Sequence, residues 1–264
     1  EPEGFIGIPK AHTARRLFGW GKKTVRTTVN VGRWRFLCDT SLSLLREAGR
    51  NRGPYPVPGV ARNEPAAILF TSGSTGVAKG AEYTHGIFAA QVELLRDAYG
   101  IEPGEVDLCT FPLFALFGPA LGMTCVVPDM NPSRPATIDP RKAAAQIRQF
   151  GVTNLFGSPA VIRRLGELAG RRADAPTLTT LKRVISAGAP ASAASLERFA
   201  PLLPDSTQVF TPYGATEVLP VANIGSREIL GETRHLTDQG KGVCVGRPLA
   251  GVEVSVIPIS DEPI

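Results

Sequence analysis

Short apolar runs that read as strands alternate with amphipathic runs that read as helices, and this alternation limits the fold more than any other feature of the chain. The strand candidates are Ala66–Phe70, Val106–Phe111, Thr124–Val127, Thr153–Phe156, Arg183–Ser186 and Thr207–Thr211. Between them lie helix candidates at Thr84–Tyr99, Pro140–Phe150, Pro159–Ala169 and Ser192–Ala200. Boundary residues support these assignments. Asp139 before Pro140 has the N-cap and first-turn pattern, Gly151 closes the same helix, Ser158 before Pro159 repeats the device, and Thr84 can cap the helix that follows it. The pattern predicts an α/β fold of layered, parallel-rich sheets with helices on both faces. Gly49–Pro65 and residues 128–140 are rich in proline and read as loops. From Val218 to Gly242 the pattern weakens, and Val252–Ile257 alternates like a strand.

One loop carries chemistry. Thr71-Ser72-Gly73-Ser74-Thr75-Gly76-Val77-Ala78-Lys79-Gly80 follows the first strand candidate and precedes the first helix candidate, giving strand, loop, helix. Glycines let a backbone curl and point several N–H groups into one concavity; hydroxyls add donors and Lys79 adds a positive charge. Such a concavity suits an anion, above all a polyphosphate. The spacing is not the G-x-x-x-x-G-K-[ST] of the common nucleotide loop, because Val77 and Ala78 separate Gly76 from Lys79. Read from composition alone, a Gly/Ser-rich surface turn is the alternative.

Composition narrows the class. The chain has 264 residues, with 43% hydrophobic and 20% charged, values ordinary for a globular protein. No apolar run is long enough to span a bilayer, and EPEGFIGIPK lacks the regions of a signal peptide, so a cytoplasmic protein is expected. Cys38, Cys109, Cys125 and Cys244 form no C-x-x-C pair and are expected to be free thiols, with Cys109 and Cys125 in the core. The three histidines, His12, His85 and His235, fit no metal spacing. The net charge of +5 comes from one segment: Lys10, Arg15, Arg16, Lys22, Lys23, Arg26, Arg33 and Arg35 occur with no acid among them, interleaved with Leu17, Phe18, Trp20, Trp34 and Phe36. A solvated basic face is one reading. A membrane-surface or pathway-enzyme contact through residues 10–36, peripheral to a bilayer, is the other. No nucleic-acid motif accompanies the charge.

The lysine loop resembles the signature T-S-G-[ST]-T-G-x-P-K-G of the adenylate-forming superfamily of acyl-CoA synthetases and peptide-synthetase adenylation domains, with Ala78 in the place of the usual proline. Further segments match in order: Ser186-Ala187-Gly188-Ala189-Pro190 resembles the adenine-side loop, Tyr213-Gly214-Ala215-Thr216-Glu217 the Y-G-x-T-E motif, and Val245-Gly246-Arg247-Pro248 the region after it. The resemblance implies ATP and Mg²⁺ as cofactors, with use of CoA left open. It implies that Thr71, Ser72, Gly73, Ser74, Thr75 and Gly76 wrap phosphates with Lys79 adding charge. Tyr213, Gly214, Gly188, Ala189 and Pro190 would hold the adenine, Thr216 would donate to the α-phosphate, and Glu217 would ligate the metal. Lys79, Thr216 and Glu217 are thus the implied catalytic residues.

For the acyl partner, a small-molecule substrate, Phe114, Phe117 and Gly118 are the candidates, on the likeness of Phe111–Gly118 to the family's P-x-F-H-x-x-G region. Ala115 stands where many acyl-CoA ligases have histidine, and a core helix is the competing reading. The texture of IGIPKAHTARRLFGWG, PLFALFGPALGMTCVVPDM and FTPYGATEVLPVA resembles the long-chain acyl branch, and within it the bacterial olefin-pathway ligases. That implies adenylation of a long 3-hydroxy acid and its closure to a β-lactone. A conventional long-chain acyl-CoA ligase and a nucleotide-binding chain without turnover are the alternatives. The resemblance also implies an incomplete large N-terminal domain. Residues 1–60 would be a basic, proline-rich lead, 61–217 an α/β core and 218–264 the start of a further β-region, with the mobile C-terminal domain absent.

Overall fold

The computed structural model describes residues 2–32, 38–71, 78–111, 114–169 and 177–258. The chain divides into two compact units, Glu1–Gly59 and Val60–Ile264.

In the first unit, strands β1 (Gly4–Gly7), β2 (Thr27–Asn30) and β3 (Thr40–Ser41) form a parallel sheet in that order. Helix α1 (Pro9–Phe18) starts with proline in its first turn and closes at Gly19, whose left-handed conformation lets its N–H bond the Arg15 carbonyl. Helix α2 (Leu42–Gly49) is capped by Ser41. His12 is a core residue: its Nε2 pairs with the Val29 carbonyl and its ring meets Phe5 edge-on at 5.1 Å. None of these elements is among the sequence predictions, since each is too short and too polar to show a clear period.

The second unit carries the predicted α/β pattern. Its elements are β4 (Pro65–Phe70), β5 (Gly80–Thr84), α3 (His85–Tyr99), β6 (Val106–Cys109), α4 (Phe114–Ala120), β7 (Thr124–Val126), α5 (Pro140–Gln149), β8 (Asn154–Gly157), α6 (Pro159–Gly166), β9 (Arg183–Ser186), α7 (Ala193–Phe199), β10 (Val209–Ala215), β11 (Val218–Gly225) and β12 (Arg247–Pro248). Seven strands form one sheet in the order β12-β11-β10-β9-β8-β6-β7. From β7 to β10 all neighbours run parallel, and β11 turns back antiparallel. Because strand side chains alternate between faces, the sheet has two apolar surfaces to cover. Leu108, Leu155, Val184 and Val209 pack under Ile147 of α5, Val161, Ile162 and Leu165 of α6, and Leu196 and Phe199 of α7. Ile185, with Phe156 and Phe210 beside it, packs under Leu95 and Tyr99 of α3 and Phe114 of α4. Helices therefore lie on both faces, as the alternation requires.

Capping explains where helices begin. The Thr84 hydroxyl accepts from the Ile87 N–H at 3.3 Å, and the Asp139 carboxylate accepts from Arg141 and Lys142 N–H at 2.9 and 3.3 Å. Gly151, at φ +58°, follows α5. Ser158 corrects the expectation: Pro159 fills the first turn of α6, but the Ser158 hydroxyl makes no capping bond.

Three further expectations change. The lysine loop is not strand, loop, helix. It joins two antiparallel strands, β4 and β5, whose ladder runs from Phe70 opposite Gly80 to Pro65 opposite Thr84, and α3 begins only after that. GAEYT is too short and too polar to stand out as a strand. The expected division after residue 217 falls inside a hairpin, because β11 continues the same sheet, and Ser226–Glu228, Ile229–Thr233 and Arg234–Asp238 follow as helical turns. Val252–Ile257 forms no strand, because no described segment pairs with it; Val254 and Val256 are exposed. Among the described residues no helix is long and apolar enough to cross a membrane.

Candidate functional site

A parallel sheet sends all of its loops of one kind to one end. The segments leaving the carboxyl ends of β6, β8, β9 and β10 therefore gather along one rim. In open α/β sheets ligands bind along that rim, outside the place where strand order reverses. Here the chain runs from β6 outward to β7 and then returns to β8 on the other side of β6, so the reversal lies between β6 and β8. Two of the sequence motifs leave the rim side by side. Ser186-Ala187-Gly188-Ala189-Pro190 follows β9, and Tyr213-Gly214-Ala215-Thr216-Glu217 ends β10, which pairs with β9 through Phe210 opposite Ile185.

Each loop has a local reason for its shape. Gly188 has φ +93°, a conformation that side chains disfavour, and Gly188, Ala189 and Pro190 are all exposed. Tyr213 is 54% exposed near the end of β10. The β10–β11 register shifts between Tyr213 and Ala215, and a Cβ on Gly214 would lie 2.8 Å from the Leu219 Cβ and 2.9 Å from the Val218 carbonyl oxygen. Only glycine fits that bulge. The bulge leads into a tight turn with Thr216 and Glu217 at its tip. Thr216 is half-buried. Glu217 is exposed and makes no ion pair with any described residue.

The lysine hairpin reaches this tip. The Thr71 N–H donates to the Lys79 carbonyl at 2.9 Å, and the Thr71 hydroxyl donates to the same oxygen at 3.4 Å, so the base of the loop is closed. Lys79 is exposed, while Ser72, Gly73, Ser74, Thr75 and Gly76 lie outside the described residues. Further along β5, Tyr83 is 2% exposed and donates its hydroxyl to the Thr216 carbonyl at 2.5 Å. The Gln91 amide of α3 donates to the same hydroxyl at 3.2 Å, and Phe88 packs on the ring at 5.0 Å. Lys79 is four residues from Tyr83, about 13 Å at about 3.3 Å per residue. The loop base and the Thr216-Glu217 tip thus belong to one neighbourhood. Tyr83 and Gln91 escaped the sequence reading; the available signal was an aromatic residue one step before the Thr84 cap.

The acyl candidates lie elsewhere on the rim. Phe114 is 4% exposed and stacks on Phe156 with centroids 3.9 Å apart. Phe117 is half-buried and joins Phe114 to Phe88, at 6.1 Å from each. Gly118 is buried, and a Cβ there would meet the Cys125 sulfur at 2.2 Å, so its smallness lets α4 seat on β7. Phe114 and Gly118 therefore serve the packed interior, and Phe117 extends an aromatic chain from Tyr83 towards the strand reversal.

A second polar group sits inside the same face. The Asp107 carboxylate and the thiols of Cys109 and Cys125 lie within 4.8 Å of one another. They are already occupied: Cys109 donates to Asp107 at 2.7 Å, and the Asn154 amide donates to its other oxygen. Burial pushes Asp107 up to about 6, against the pull of those donors, and burial raises both thiols, Cys109 well above its usual range. Protonated thiols are poor metal ligands. The four cysteines form no disulfide, and Cys125 is only half-buried.

Comparison with known proteins gives the family and the fold. The chain is 49% identical over 264 residues to an olefin beta-lactone synthetase of Stenotrophomonas maltophilia, covering all of this chain and 46% of that protein. It thus spans about half the length of the curated relatives it matches. Its fold matches a putative long-chain-fatty-acid CoA ligase of Rhodopseudomonas palustris, with TM-score 0.71 and 18% identity over 100% of this chain and 60% of that one. It also matches ATP-bound MatB of the same organism, with TM-score 0.63 and 22% identity over 85% of this chain and 42% of that one. The model of the AMP-binding enzyme family matches residues 14–263, and the chain belongs to that family.

Proposed function

We propose that this chain supplies much of the ATP- and acyl-binding body of a ligase that adenylates a long-chain 3-hydroxy acid and closes it to a β-lactone. The observation that carries the reading is the Tyr83–Thr216 hydrogen bond, which ties the lysine hairpin to the Thr-Glu tip at the carboxyl ends of the parallel strands. The olefin beta-lactone synthetase relative and the ATP-bound neighbour support the substrate and nucleotide assignments.

In the first step a carboxylate oxygen attacks the α-phosphorus of ATP, the bond to the bridging oxygen breaks, and pyrophosphate leaves. Lys79 offsets phosphate charge, the hydroxyl-rich loop donates hydrogen bonds to the phosphates, Thr216 donates to the α-phosphate, and Tyr213 with Gly188, Ala189 and Pro190 flanks the adenine. Such preorganised charge is worth most where water is excluded. Glu217 fits Mg²⁺, being an exposed hard-oxygen donor with no ion pair to a described residue, and that ion usually binds through few protein carboxylates and keeps several waters. When bound, the ion neutralises phosphate charge. In the second step the substrate's 3-hydroxyl attacks its own acyl carbon, the acyl–AMP bond breaks, and the hydroxyl proton passes to solvent. AMP and the lactone are the products, and CoA is not consumed.

The test incubates the full-length enzyme with ATP and a 3-hydroxy acid, with and without CoA. Pyrophosphate and lactone appearing without CoA support the reading. A strict CoA requirement with an acyl-CoA product favours a conventional acyl-CoA ligase, the reading to which the fatty-acid CoA ligase fold neighbour points.

A further inference from the structure

The basic segment that composition sets apart becomes an exposed tip in the first unit. Helix α1 ends at Phe18, Gly19 turns the chain, and residues 19–24 form consecutive turns. Leu17, Phe18 and Trp20 on this tip are 77%, 65% and 52% exposed, and the rings of Phe18 and Trp20 stack with centroids 5.4 Å apart and 21° between planes. Lys22 and Lys23 on the same turns are exposed, as are Arg16 in the last turn of α1, Arg26 just before β2 and Lys10 at the start of α1, and no acidic residue occurs between positions 10 and 32. Arg15, half-buried, lies over the Phe5 ring at 5.5 Å. Asp39, the carboxylate that feels Arg15 and Arg16, is engaged by the hydroxyl and N–H of Thr28. Single exposed apolar residues are ordinary, but a contiguous aliphatic and aromatic wedge flanked by exposed cations marks a contact surface.

We propose that this tip seats the protein on an anionic phospholipid surface. The wedge enters the headgroup layer, where tryptophan and phenylalanine are favoured, and the cations meet lipid phosphates. Charge sets the sign of the partner. The wedge separates a bilayer from a hydrated polyanion, which cations alone would satisfy. The inference stands on the first unit's surface and does not depend on the adenylation reading.

Co-sedimentation of the full-length protein with vesicles tests it, using phosphatidylcholine alone and phosphatidylcholine mixed with phosphatidylglycerol. Binding is expected only to the mixed vesicles at low salt, and is expected to weaken as salt shortens the screening length. Lys22→Gln with Lys23→Gln should weaken binding about thirtyfold, at about fivefold per cation near such a surface. Phe18→Ala with Trp20→Ala should weaken it by at least about tenfold while pyrophosphate release stays at the wild-type rate. Equal binding to neutral vesicles, or wild-type binding by both variants, overturns the proposal. So does failure to bind mixed vesicles at low salt, which would mean that another segment of the chain or a protein partner covers the tip.

Discussion

The two ends of the parallel strands treat charge in opposite ways. At the amino ends, Arg183 of β9 and Glu105 just before β6 are both buried and paired with each other. Arg183 binds both carboxylate oxygens of Glu105 and the Gly100 carbonyl; Glu105 also accepts from the Thr153 hydroxyl and the Glu102 N–H. At the carboxyl ends, Lys79, Tyr213 and Glu217 are exposed, and neither charge is paired with a described residue. Buried charges that satisfy each other hold a sheet together, whereas charges left open beside glycine-shaped loops are available to a ligand. The contrast also orders the substitutions by expected effect.

Arg183→Ala should cost most. It leaves the buried Glu105 without its guanidinium, a loss of about 3–5 kcal/mol, visible as a fall in Tm of the full-length protein while the folded fraction keeps wild-type activity per molecule. Equal loss of stability and specific activity would break the division between the two ends. Glu105 adds a pH signature: burial raises its pKa, but Arg183, the Glu102 N–H and the Thr153 hydroxyl outweigh this and hold it below its usual value. Its contribution is therefore present above the unfolded carboxylate range and lost as pH falls through the lower folded value.

Asp107→Asn should act in the opposite sense. The folded pKa of about 6 lies above the ordinary 3.8, so wild-type stability from this group declines as pH rises from about 4 to 6. Asparagine keeps an oxygen for Asn154 and removes the charge. Denaturant unfolding should show a gain of up to roughly 3 kcal/mol at pH 8 that vanishes near pH 4. A gain independent of pH would exclude titration as the cause.

At the open end, Lys79→Ala and Glu217→Ala should each lower adenylate formation by about 100-fold, with Tm shifts equivalent to about 0.5 kcal/mol or less. Single-turnover pyrophosphate release measures this, and unchanged turnover in both removes their assigned roles. The smallest effect belongs to Tyr83→Phe, which keeps the ring and deletes the hydroxyl, with its bonds to the Thr216 carbonyl and the Gln91 amide. A loss of about 0.5–1.5 kcal/mol is expected for one such bond, read as a two- to tenfold fall in adenylation, larger for kcat than for the KM of ATP if the tip is misplaced. No change would uncouple the hairpin from the tip.

Much of this was legible from sequence wherever a local signal matched the tertiary outcome. Arg183–Ser186 is a strand with the expected bounds, and the helix ends marked by Thr84 and Asp139 fall within a residue of the structure. The failures share a cause. GAEYT and the strands of the first unit are defined by their partners rather than by their own hydrophobicity, so nothing local in the sequence separates β5 from the loop before it. Val252–Ile257 fails in reverse, with the right alternation and no described strand beside it. The motifs at residues 71–79, 186–190 and 213–217 could be identified singly. Their convergence could not, because it depends on which strands neighbour one another and on the Tyr83 hydroxyl, a contact across 133 positions of chain.

That contact also has a mechanical meaning. β4 and β5 form their own two-stranded sheet, and among the described residues Tyr83 provides their one side-chain hydrogen bond to the seven-stranded sheet. A lever fixed at a single pivot can swing without unzipping the structure it rests on. Travel of the hairpin would then cost a hydroxyl contact and some aromatic packing, and would leave the ladder of the seven-stranded sheet intact.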